Sequence, residues 1–194
     1  MRFAENVEDG VSLAVAGARV TRSALAFTYR ATNGSGVQLH LVNRLFHRRG
    51  AAGFLVDPNL VYASLDEGGM LVLRKQLMEI PEEIDVEAPE VPYVTPVAPG
   101  VTFSETVRLT LPIRPRDPYL PQPEGEPHTV SQFTFALGYL ISSTPVGVVE
   151  VRMPSGEVVP RIDFGDLMRG QRLKVAGPLE ARVATTAMCP AKPR

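Results

Sequence analysis

The sequence predicts an all-β chain, an antiparallel β-sandwich with long proline-rich loops, on three observations. Short segments alternate apolar and polar residues with period two, and only one stretch reads as a turn of helix. The 16 glycines and 18 prolines punctuate the chain between these segments. At 194 residues, with 44% apolar and 21% charged residues, the chain can bury a sizeable core and lacks the composition of a disordered tail. No segment is both linker-like and flanked by two self-sufficient strand sets, so residues 1–194 read as one domain.

Taken in order, Val11 to Val20 reads as a strand pair. Leu25, Phe27, Tyr29 and Ala31 then form one face of a strand whose other face carries Ala24, Ala26, Thr28 and Arg30. Asn33-Gly34-Ser35-Gly36 predicts a hairpin into Val37, Leu39 and Leu41, with Gln38 and His40 on the opposite, solvent side. After an Asp57-Pro58-Asn59 turn, Leu60–Leu65 and Met70–Leu77 form a second hairpin around Asp66-Glu67-Gly68-Gly69. Residues 79–99 hold six acids and five prolines and predict an exposed, extended loop.

Val101, Phe103, Val107, Leu109 and Leu111 share the next strand face. Glu105 interrupts that face, which places it near a sheet edge or bulge, since an unpaired carboxylate in dry core is costly. Residues 112–127, with six prolines, predict a second extended connection. Phe133, Phe135, Leu137, Tyr139 and Ile141 make the most aromatic strand, expected at the centre of the core. Segments at Val146–Val151, Glu157–Pro160, Arg172–Val175 and Leu179–Val183 bring the set to about nine or ten strands, more than one sheet holds without curling or splitting. Phe164–Gly170 is the helical turn.

The order of an Asn33-Gly34-Ser35 turn, an apolar strand from Val37 to Leu45, the Tyr62–Gly69 strand and turn, and Pro99-Gly100 before the Phe103–Leu111 strand resembles the bacterial intracellular proteinase inhibitor family of the Bacillus type. The resemblance covers residues 24 to 111 and implies an immunoglobulin-like sandwich and a cytoplasmic inhibitory or interaction module. It carries over no inhibitory residue, and the 79–99 insertion and the absence of Trp depart from the family pattern.

No catalytic constellation is legible, and none of the usual cofactor motifs occurs. Gly34-Ser35-Gly36 lacks the Gly-x-Ser-x-Gly spacing of a nucleophile elbow, and no phosphate-binding glycine loop is present. His40, His47 and His128 lack metal-ligand spacing and read as surface histidines. Cys189, beside Pro190, reads as an idle thiol and leaves no intrachain disulfide. Asp66/Glu67, Glu82/Glu83 and Asp163/Asp166 read as turn, solvated loop and helix cap. The Asn33-Gly34-Ser35 acceptor pattern reads as a turn, because acids at Glu5, Glu8 and Asp9 fall where a signal peptide needs its apolar stretch and predict a cytoplasmic chain. The formal charge of -1 gives no electrostatic reason to bind nucleic acid or an anionic membrane. The 17 arginines against 3 lysines read as the coding bias of a GC-rich bacterium.

The expectation is therefore a non-enzymatic protein–protein interaction module: an inhibitor, an adaptor or an assembly component. Its partner would be another protein, or a second copy paired through an open edge strand. Candidate binding residues are the basic cluster Arg44, His47, Arg48 and Arg49, the acidic pair Glu82 and Glu83, and the rim tyrosines Tyr93 and Tyr119. The alternative is a carbohydrate- or small-ligand-binding sandwich, or an uncatalogued hydrolase, working through the same rim loops.

Overall fold

The computed structural model describes residues 4–5, 9–48, 53–121, 124–141 and 147–188. Their regular structure is almost entirely β, with one short helix. The strands are β1 (Ala4–Glu5), β2 (Val11–Val20), β3 (Ala24–Asn33), β4 (Leu39–Arg44), β5 (Phe46–Arg48), β6 (Phe54–Val56) and β7 (Tyr62–Leu65). There follow β8 (Leu71–Lys75), β9 (Tyr93–Val97), β10 (Thr102–Thr110), β11 (Glu124–Ile141), β12 (Val148–Arg152), β13 (Val158–Ile162) and β14 (Arg172–Ala187), with α1 (Phe164–Gly170) before the last strand. One sheet of seven strands runs β1–β14–β11–β4–β9, with β8 joined to β11 and β7 to β8. A second of three runs β10–β3–β2, and β5–β6 and β12–β13 are two-stranded hairpins. Most pairings are antiparallel, but β1–β14 and β8–β11 are parallel, so the large sheet is mixed rather than antiparallel throughout.

Strands of both main sheets feed one apolar cluster. The aromatic strand lies at its centre, as expected: the Phe27 ring sits 5.5 Å from Phe133 and 5.2 Å from Phe135, and Tyr29 sits 4.9 Å from Phe135. The period-two reading of β3, β10 and the β7–β8 hairpin holds in face and register. Val11–Val20 is one bulged strand rather than a pair, Arg172–Ala187 is one strand rather than two, and the described chain has more strands than the sequence suggested.

The Asn33–Gly36 turn does not close a hairpin. β3 belongs to the small sheet and β4 to the large one, so the turn is a crossing between sheets. The Asn33 amide is fully buried and donates to the carbonyls of Val37 and Val97, 2.8 Å each, while its Oδ1 accepts from the Ser35 N–H and hydroxyl. Gly34 N–H donates to Gly10 O at 2.7 Å, and a Cβ on Gly10 would lie 2.6 Å from Gly34 O. Turn chemistry specifies that the chain reverses; it does not specify which sheet receives the returning strand.

Residues 79–99 are only partly a loop. Val91 to Val94 are buried, and β9 pairs with β4 as an edge of the large sheet. A second apolar cluster of Val42, Leu77, Val91, Val94, Leu140, Ile162 and Leu167, with Phe164 and Met168 against it, lies at this end of the chain's fold. It covers the Val42 face of β4 while the main cluster covers Leu39 and Leu41, so β4 is buried on both faces and strand alternation misplaces His40 on the surface. The helix above it is capped by Asp163, whose carboxylate accepts from Gly165 N–H at 2.8 Å. Beyond the helix, the buried Gln171 amide clamps Leu77, accepting from its N–H at 2.8 Å and donating to its carbonyl at 3.1 Å. β11 passes beneath as Gly138, where a Cβ would sit 2.5 Å from Gln171 Oε1.

Residues 112–127 are likewise less free than predicted. Ile113 exchanges main-chain bonds with Ala184 and Thr186 of β14, and Arg116 with Ala63 of β7, so this strap ties β7 to β14. Residues 124–127 are already strand β11.

Candidate functional site

Two members of the predicted basic cluster, Arg44 and His47, are engaged within the fold. Arg44 turns inward, donating through Nε to Thr95 Oγ1 at 3.1 Å and lying 3.8 Å from Glu105. His47 Nε2 lies 3.3 Å from Asp57 Oδ2. Arg48 ends β5 opposite Phe54, and Arg49 falls outside the described residues. The tyrosines also part company. Tyr93 is buried, its ring 5.5 Å from Phe46, and so is no rim residue. Tyr119 remains at the surface region of the second proline-rich segment.

Arg44 belongs to a buried ionic network that sequence reasoning missed. Glu105, on β10, accepts from Tyr29 O–H of β3 at 2.7 Å and from Lys75 Nζ of β8 at 2.6 Å. Lys75 is wholly inaccessible, donates also to Pro58 O at 2.6 Å, and lies 5.6 Å from the centre of the Tyr29 ring. Asn43 donates to Tyr29 Oη at 3.1 Å, and Thr95 donates to Asn43 Oδ1 at 2.7 Å. Glu105 is indeed on an edge strand, yet its carboxylate faces the opposite sheet. Burial lowers the Lys75 pKa against the opposing pull of Glu105. Burial, then the neighbouring Glu105 charge, raises that of Tyr29. A lysine beside a carboxylate and a tyrosine has the makings of acid–base chemistry, but no substrate reaches a side chain with no exposed surface. The network holds the sheets together. The one signal for it in the sequence was Glu105 standing alone on an apolar face.

A second such group surrounds Asp9, which accepts from Tyr139 O–H at 2.6 Å and from Arg172 at 3.0 Å, with Lys174 Nζ 3.4 Å away. Burial pushes the Asp9 carboxyl up, but these bonds outweigh it and hold the pKa below the ordinary value.

The three histidines do not converge. His40 is buried on β4, paired in register with Leu140 and Pro96; His47 is on β5; His128 is exposed on β11. Among the described residues no three His, Cys, Asp or Glu side chains are grouped to hold a metal. Cys189 lies outside the described residues.

What the fold does assemble is a cleft between the two proline-rich segments. It has a volume of about 530 Å³ and is walled by Ile84, Asp85, Val86, Glu87, Ala88 and Glu90 on one side and by Pro118 and Tyr119 on the other. Glu90 pins the two walls together. Its N–H donates to Tyr119 Oη at 3.0 Å, and its carboxylate accepts from Tyr62 O–H at 2.8 Å with Arg116 3.6 Å away. Burial, then the Glu90 charge, raises the pKa of Tyr62. Asp117 caps the turn, its carboxylate accepting from the N–H groups of Tyr119 and Leu120, 2.9 Å each. Asp85 and Glu87 are exposed in the wall. Glu82 and Glu83 sit exposed in the preceding turn, closed by Ile84 N–H to Pro81 O at 3.0 Å, and do not line the cleft.

No protein-family model, no curated protein and no solved structure matches this chain.

Proposed function

We propose that this chain is a protein-binding module and that the cleft between residues 84–90 and Pro118–Tyr119 is its binding site, taking a cationic segment of a partner. The observation that carries the reading is the wall itself. It has two exposed carboxylates, Asp85 and Glu87, beside a tyrosine ring, in a stretch from Glu79 to Glu90 that contains six acids and no base. Carboxylates over an open cleft attract an arginine or lysine, and the tyrosine supplies the flat apolar contact that interfaces favour. Glu90, satisfied by Tyr62 and Arg116, keeps the walls in place and leaves the other two for a ligand. The immunoglobulin-like sandwich is the finer fold reading that accompanies this proposal, supported by the cluster that both main sheets share. An inhibitor of the intracellular proteinase inhibitor type is one form such a module takes.

The test is a titration of the isotopically labelled chain with an arginine- and lysine-rich peptide, with an acidic peptide as control. Amide shifts confined to residues 84–90 and 117–120, abolished in Asp85→Asn/Glu87→Gln, are the expected result. Shifts elsewhere, or none, overturn the reading.

A further inference from the structure

The outward face of the β10–β3–β2 sheet is built of short side chains and arginines. Its cross-strand rows are Ser12–Thr32–Thr102, Ala14–Arg30–Ser104, Ala16–Thr28–Thr106 and Arg19–Ala26–Arg108. Hydroxyls bond across the strands, Thr28 to Thr106 and Thr32 to Thr102 at 2.8 Å each, making a flat floor of short side chains. From this floor stand three exposed arginines, Arg19, Arg30 and Arg108. With strands about 4.8 Å apart and a rise of about 3.4 Å per residue, Arg19 and Arg108 are about 10 Å apart across Ala26, and Arg30 is about 13 Å further along β3.

Among the described residues the face carries no carboxylate. The one acid in the three strands is Glu105, and it points inward to Lys75. None of the three arginines forms an ion pair with a carboxylate among the described residues.

The formal charge of -1 therefore conceals a segregation: an arginine face with no acid, and the Glu79–Glu90 segment with no base. No ion pair within the described chain joins Asp85 or Glu87 to Arg19, Arg30 or Arg108. We infer that the partner of the acidic cleft is a second copy of this chain, its Arg19–Arg30–Arg108 face docking on the first copy's Asp85 and Glu87. This rests on the binding reading above and names its partner. The two patches are different surfaces of the same chain, so the contact is heterologous, leaves each copy with one patch still free, and extends head to tail into a ring or a chain. A net charge near zero imposes little long-range repulsion on such assembly. Short floor residues let the arginine heads reach a neighbouring loop without steric cost.

The experiment is sedimentation velocity over a concentration series with a pair of charge-reversed proteins. The wild type is expected to self-associate at about 0.05 M salt and to do so at least tenfold more weakly at about 0.5 M, where screening is severe. Asp85→Lys/Glu87→Lys carries a basic cleft and a basic face, and Arg30→Glu/Arg108→Glu an acidic cleft and an acidic face. Each alone should remain monomeric, and an equimolar mixture of the two should assemble, because both contacts are again complementary. Circular dichroism and melting of each variant verify the fold, and all four sites are exposed. A wild type that stays monomeric at low salt while the cationic peptide still binds residues 84–90 overturns this inference and leaves the binding reading standing. Loss of peptide binding removes both. Association indifferent to either reversal, as edge-strand pairing would be, also overturns it.

Discussion

Glu105 and Glu87 are the same side chain in two opposite settings. Glu105 is on a strand and faces the other sheet, with Tyr29, Lys75 and Arg44 arranged around its oxygens. Glu87 is on an irregular, proline-rich segment and stands exposed over a cleft. The first contributes to folding because its partners would be stranded without it. The second forms no ion pair among the described residues. What separates the two settings is whether the described chain itself supplies the opposing charge.

The largest expected effect breaks the buried side of this contrast. Glu105→Ala leaves Lys75 and Arg44 without their anion, and urea unfolding should show a loss of about 3–5 kcal/mol, the cost of uncovering one member of a buried pair. Replacing both charges, Glu105→Leu with Lys75→Met, should recover most of that loss; failure to recover would mean the side chains' shape matters more than their charge. Tyr29→Phe keeps the ring and removes one hydroxyl bond to a charged group, for an expected loss of about 1.5–3 kcal/mol in the same assay.

Smaller effects sharpen the other side. Asp85→Asn and Glu87→Gln should change stability by less than about 0.5 kcal/mol, as exposed positions do, while abolishing binding of the cationic peptide. A stability loss like that of Glu105→Ala would show that these carboxylates are structural after all.

The pH dependence separates two further groups. Burial lowers the His40 pKa from 6.5, so the unfolded chain binds this proton more readily than the folded one. Stability should fall as pH drops through 6.5 towards the folded value, and His40→Gln should flatten that slope. Asp9 acts lower: its folded pKa lies below 3.8, so its stabilisation is complete above 3.8 and is lost as pH falls through the folded value. Asp9→Asn should remove the second, more acidic limb of the same denaturation profile and leave the first.

Much of the local structure was legible. The faces of β3, β10 and β11, the Asp66–Gly69 hairpin and the Phe164–Gly170 helix follow from period-two alternation, turn residues and the Asp163 cap, all of which act over a few neighbouring residues. The errors share one cause. The Asn33 turn leads to the wrong sheet, His40 is buried under a second apolar cluster, Tyr93 lies in a strand inside a segment that composition marks as loop, and Arg44 turns inward. In each case the deciding neighbour is distant in sequence: Val97 for Asn33, Leu140 for His40, Phe46 for Tyr93, Glu105 for Arg44.

The candidate site shows the same division. The acidic, proline-rich stretch and Tyr119 were visible as composition, but their meeting depends on Glu90 reaching Tyr62 and Tyr119, which no spacing announces. The arginine face was invisible because Arg19, Arg30 and Arg108 come from three strands, and only strand pairing sets them in one plane.

The sequence by itself therefore determined the all-β character, the faces of the individual strands, the turns and the gathering of acids and prolines into two segments. Tertiary structure alone decided which sheet each strand joined, which charges were buried in pairs and which were left exposed. Backbone propensity and side-chain alternation act between residues a few positions apart, whereas burial and ion pairing depend on distances across the fold, which exist only once the sheets have formed.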